Sequence, residues 1–194
     1  MKQFAAALAL AAGLIPAAPA ANAAGTPLPI QSLSYAGTGC PQGTAGLSIS
    51  NDRTVFTVIF DSDVASTGPG VPTTEATKDC AVNLNLVMPQ GWRITGIGVD
   101  QRGYEQLDAG ATASSRLTAA LDNKVLATQS LSAAGPVARD YTSHTNVPNT
   151  RSLGRCSGGT FTVSLQTSLV LSSTGQAQIT QDSIDGKVSI APCE

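Results

Sequence analysis

The chain is poor in charge. Lys, Arg, Asp and Glu make up 12% of its 194 residues, about half the usual ~25%. The formal net charge is −2, and the basic residues form no cluster. Nucleic acid and anionic membranes both need clustered Lys and Arg, so neither is implied as a partner. Long apolar runs are absent beyond the first residues, so no membrane span is expected; one would need about 20 apolar residues. Internal repeats and low-complexity linkers are missing too. There is one histidine, and no Gly-x-Ser-x-Gly elbow marks a nucleophile among the serines. No Cys-x-x-Cys pair suggests a metal site, and no cofactor is implied.

What is present starts with MKQFAAALALAAGLIPAAPAANA. Lys2 is a short positive region, Phe4 to Ile15 is uncharged and apolar, and Ala21-Asn22-Ala23 has the small-x-small form of a cleavage site. This predicts a secretory signal peptide over residues 1–23. Residues 24–194 then form a single domain of sufficient length to bury a core. The protein is expected outside the cell, or in the periplasm of a Gram-negative source, and as a monomer.

Export makes sense of Cys40, Cys80, Cys156 and Cys193. An even count in a secreted chain favours disulfides, and four cysteines allow three pairings. Two lie in the first half and two in the last quarter, which favours 40–80 and 156–193. Each bridge would close a loop of about 40 residues, worth roughly 4 kcal/mol on the chain-entropy account. The stretch GTGCPQG, Gly37 to Gly43, then reads as a turn that orients Cys40. A reactive thiol would need an unpaired cysteine beside a basic group.

The periodicity is that of strands. Val82, Leu84, Leu86 and Met88 alternate with Asn83 and Asn85, and Phe161, Val163, Leu165, Leu169 and Leu171 share a second face. Thr54 to Phe60 is so continuously apolar that it reads as buried on both sides. Trp92 to Asp100 switches parity at Gly96, which predicts a β-bulge. Ala111 to Leu121 and Val125 to Leu131 flank Asp122-Asn123, a hairpin signal. Leu117, Leu121 and Leu131 also fit helical spacing, but the turn and the threonines favour strands. A lead-in strand precedes Cys40, and a last strand carries Val188 and Ile190 after a turn at Asp185-Gly186. Gln101 to Gly110 reads as turn-rich. Asp61 to Asp79 and Gly135 to Gly159 read as two long loops. The expectation is an all-β, antiparallel β-sandwich, immunoglobulin-like or jelly-roll-like, with about eight strands and two disulfides.

Candidate chemistry is sparse. Arg102, Tyr104, Asp108, Asp140, Tyr141 and His144 could line a polar pocket, with Arg102 and Asp108 forming an Arg–carboxylate pair that braces a loop. Asp61, Asp63, Asp100, Glu105, Asp108 and Asp140 are candidates for a carboxylate pair of the kind glycosidases use. Asp61-Ser62-Asp63 could open a calcium site but lacks the later Gly and Glu of an EF-hand. Trp92 and Tyr104 could form a sugar-stacking platform, though one tryptophan more often packs in a core.

Together, GTGCPQG, FDSDVASTGPG, KDC ahead of VNLNL, MPQGW and RGYEQLDAG resemble a family of small secreted proteins of fungi and bacteria. That family is marked by GCP and KNC motifs and labelled domain of unknown function 4360. The resemblance covers roughly Ser34 to Cys193 and is looser in the second half. Lys78-Asp79-Cys80 stands where the family has Lys-Asn-Cys. The resemblance implies a secreted, cysteine-containing protein and no reaction. The expected function is non-enzymatic binding of a polysaccharide or protein by the two long loops. The alternatives are a hydrolase with a carboxylate and His144 in a cleft, or a protease inhibitor presenting a braced loop.

Overall fold

A computed structural model describes residues 30–51, 53–147 and 156–193. The predicted leader, residues 1–23, lies outside them. Twelve strands build two antiparallel sheets among the described residues. The first sheet holds β1 (Ile30–Ala36), β5 (Thr77–Met88), β10 (Gly159–Ser172), β7 (Thr112–Leu121) and β8 (Lys124–Ala134), in that order. The second runs β2 (Ala45–Ile49), β3 (Val55–Phe60), β12 (Ser183–Pro192) and β6 (Trp92–Leu107). Where β12 ends, β11 (Ala177–Thr180) takes over the same edge of β6 and carries β4 (Val64–Thr67) outside it. The other edge of β6 pairs with β9 (Val137–Val147).

The sandwich follows from the alternation. Val82, Leu84, Leu86 and Met88 of β5 and Phe161, Val163 and Leu165 of β10 face inward. They meet Phe56, Val58, Ile97, Val99, Ile184 and Val188 of the second sheet in one apolar cluster. A smaller cluster gathers Ala65, Leu107, Ala111, Ala113, Leu169, Leu171, Ala177 and Ile179. Between the two, four strands turn polar residues inward, Thr167 of β10, Ser115 of β7, Gln101 of β6 and Ser143 and Thr145 of β9, and Gln181 after β11 joins them; all are buried.

Both predicted disulfides are present, Cys40–Cys80 and Cys156–Cys193. Asp122 and Asn123 take positive φ of 47° and 64°, as a tight hairpin requires. The bulge falls where β6 changes parity, because Ser189 opposes Gly96 while Ile190 already opposes Ile94.

Several expectations need correction. The Thr54–Phe60 segment is buried on one face only; Val55 and Ile59 of β3 are exposed. Asp61 to Asp79 is no long loop, because it contains β4, one 3₁₀ turn at Thr73–Ala76 and the start of β5. Gln101 to Leu107 continues β6, and the turn comes only at Asp108 to Gly110. The second supposed loop holds β9 over residues 137–147, and its residues 148–155 lie outside the described residues. Asp185 and Gly186 sit inside β12, with the Phe56 ring packed over Gly186.

The stretch GTGCPQG does serve as a staple. Gly39 donates to Asp79 O at 2.8 Å, and Thr38 Oγ1 donates to Asp79 Oδ1 at 2.8 Å. A Cβ on Gly39 would lie 2.0 Å from Asp63 Oδ1, so only glycine lets the loop close over that carboxyl.

Candidate functional site

Strand β6 positions the candidate residues. Its even-numbered side chains from Asp100 to Gln106 point away from the core, as do those of β9 from Ala138 to Asn146. Arg102, Tyr104, Asp140 and His144 therefore share the outer face of the second sheet. The other two predicted residues leave it. Tyr141 has inward parity and donates its hydroxyl to Thr180 O at 2.6 Å, over the bare backbone of Gly103. Burial pushes that hydroxyl's pKa upward. Asp108 lies in the turn after β6, against the backbone of Gln176.

The registers set one row across four strands: Thr57 of β3, Asp185 of β12, Asp100 of β6 and His144 of β9. Two carboxylates thus stand side by side, a repulsive arrangement on paired strands. Each has partners. Thr57 Oγ1 donates to Asp185 Oδ1 at 2.5 Å, and Arg102 Nε lies 3.6 Å from Asp185 Oδ2. His144 Nδ1 contacts Asp100 Oδ1. Arg102 does pair with a carboxylate, as the sequence suggests, but that carboxylate is Asp185. The sequence reading missed Asp185, Thr57 and Asn146, because their proximity depends on strand order.

Beside this row the face sinks. Gly96 and Gly98 bare the backbone of β6, and Asn146, Lys187 and Ser189 stand around them in a trough of about 530 Å³. A second hollow, of about 210 Å³, opens at the far end of β6 among Ser66, Thr67, Gln106, Gln176 and Gln178. Tyr104 lies between the charged row and that hollow and is half-buried. Val55 and Ile59 flank Thr57 with exposed apolar surface. The face can present hydroxyls, amides and charges to a ligand, with a ring to stack on.

The remaining candidates do not join it. Trp92 packs against the main core. It lies twelve residues from Tyr104 along one strand, about 40 Å, so the two form no platform. Asp61 is exposed while Asp63 is only 1% exposed, so they share no cation. Glu105 is fully buried, and Arg139 Nε donates to it at 2.7 Å. Asp63 is the one strongly perturbed carboxyl among the described residues. Burial and the negative charge of Asp79 push its pKa up to about 7, against the opposing pull of Lys78. It faces the interior, under the Gly39 turn, and no ligand approaching the outer face could reach it.

The chain is 32% identical over 160 residues to an uncharacterized secreted protein of Arthroderma benhamiae, covering 80% of this chain and 65% of that relative. The aligned region thus spans less than two thirds of the relative. Solved structures resemble it weakly. TmCBM61 in complex with β-1,4-galactotriose shares 9% identity at a TM-score of 0.31, over 84% of this chain and 90% of that one. A CBM4 structure shares 14% at 0.25, over 83% and 86%. The enzymatically active domain of bacteriophage CBA120 tailspike protein 4 shares 15% at 0.27, over 85% of this chain and 20% of that one. At these TM-scores no ligand or activity is carried over. The sequence match is of another order: the model for a domain of unknown function, DUF4360, covers residues 27–191, and the chain belongs to that family.

Proposed function

We propose that the protein is a secreted, non-enzymatic binding domain that holds an uncharged polysaccharide on the outer face of its second sheet. The observation that carries this reading is the bare-backbone trough at Gly96 and Gly98, set beside the row Thr57–Asp185–Asp100–His144. Two aspartates opposite one another work against stability, and such local conflicts are where function is sought. The row's carboxylates already have partners, Asp185 with Thr57 and Arg102 and Asp100 with His144, which suits a neutral ligand rich in hydroxyls. Tyr104 supplies a ring face for the apolar side of a sugar. The expected loops give way to this face: the first segment holds β4 and the start of β5, and the second holds β9.

The test is co-sedimentation with insoluble cellulose, xylan, chitin and β-1,3-glucan, followed by Tyr104→Ala and Asp100→Ala variants. Binding to at least one polymer is expected. Each variant should weaken it about tenfold, equivalent to roughly 1.4 kcal/mol. No retention on any polymer sinks the proposal. Release of reducing ends during the incubation would instead favour the hydrolase, with Asp100 and Asp185 as the carboxylate pair.

A further inference from the structure

The trough and the far hollow lie on one face and along one strand. Gly98 and Gln106 are eight residues apart on β6, about 26 Å at ~3.3 Å per residue. A monosaccharide or disaccharide cannot touch both. We propose that the ligand is an extended polymer of several sugar units, laid along β6 and engaging both hollows at once. This rests on the polysaccharide reading above and deepens it.

Three features argue for length. First, β6 runs unbroken through sixteen residues, with β12 and then β11 on one edge and β9 on the other. Its outer face is therefore one continuous track. Second, the two ends of the track differ from its middle. In the middle, Asp100, Arg102, His144 and Asp185 are already engaged with one another or with Thr57. At the ends the exposed side-chain amides of Asn146, Gln106, Gln176 and Gln178 line the two hollows. Each amide offers both a donor and an acceptor, the match for a hydroxyl that does both. Third, Tyr104 stands between the paired charges and the amide hollow, where a chain crossing from one end to the other would pass over its ring.

The experiment is calorimetric titration with soluble cello-, xylo-, laminari- and galacto-oligosaccharides, from two units to the longest soluble member. For the recognised sugar, affinity should rise at least tenfold from the disaccharide to the long oligomers. The double variant Gln106→Ala with Gln178→Ala, both at exposed positions, should remove most of that gain. Equal affinity for short and long oligomers, with Tyr104→Ala still weakening binding about tenfold, would overturn the extended-polymer proposal and leave the polysaccharide reading standing. No binding at any length would remove both.

Discussion

Asp63 is a buried carboxyl whose chemistry departs far from its usual behaviour. Its carboxyl is 1% exposed, and neither oxygen has a hydrogen-bond partner among the described residues. Its folded pKa of about 7 lies well above the ordinary carboxylate range. The sign of the linkage is then fixed. Below about pH 4 the group is protonated in both states and its burial is not penalised. Between about pH 4 and 7 the unfolded chain releases the proton while the folded chain keeps it, so stability falls. Above about 7 the loss levels off. Asp63→Asn should therefore be more stable than the parent at pH 7.5 and should lose the difference near pH 4. Urea midpoints at both pH values would decide it; parallel pH profiles for the two proteins would contradict the assignment. The same carboxyl makes Gly39 hard to replace. Gly39→Ala drives a methyl into Asp63 Oδ1 and should destabilise by about 1–3 kcal/mol, read from the same denaturation curves.

At the level of elements, β10 carries the first sheet, with β5 on one side and β7 on the other. Leu165 is fully buried at its centre and Val170 faces out. Leu165→Ala should cost about 2–5 kcal/mol, and Val170→Ala within about 0.5 kcal/mol, by chemical denaturation. Strands of this kind were legible in the sequence, because Phe161 to Leu171 alternates along almost its whole length. The hairpin at Asp122-Asn123 and the bulge at Gly96 were legible for the same reason: local backbone demands leave local marks. Strand β9 was not. Its inward positions include Ser143 and Thr145, which belong to the buried polar layer, so the apolar alternation fails where the strand is most regular. Short β4 and β11 contribute mainly alanine and one isoleucine to the interior, too little pattern to recognise. In β3 the error ran the other way. Val55 and Ile59 suit an extended backbone yet face solvent, and apolar composition alone cannot tell propensity from burial. The candidate site was half legible: Arg102, Tyr104, Asp140 and His144 share a face, but Asp185 comes from a strand more than forty residues away.

On the scale of the whole molecule, the interior is not one core. A large apolar cluster fills one end and a smaller, alanine-rich one the other, with Thr167, Ser115, Gln101 and Gln181 between them. The Cys40–Cys80 bridge draws Cys40 and Cys80 into the larger cluster. Amide hydrogen exchange should accordingly be slowest in β5 and in β10 around Leu165, and faster in β4 and β11. Uniform protection across both ends would count against two units of unequal stability.

The polar layer gives the sandwich a plane of weakness transverse to its strands, and β6 is one of five strands, with β7, β8, β9 and β10, that cross it. Under load or protease the alanine-rich end should part first, as a flap. A fibre lying along the outside of β6 would bridge that plane like a splint. The bound domain would then resist cleavage most at the end that is weakest when free.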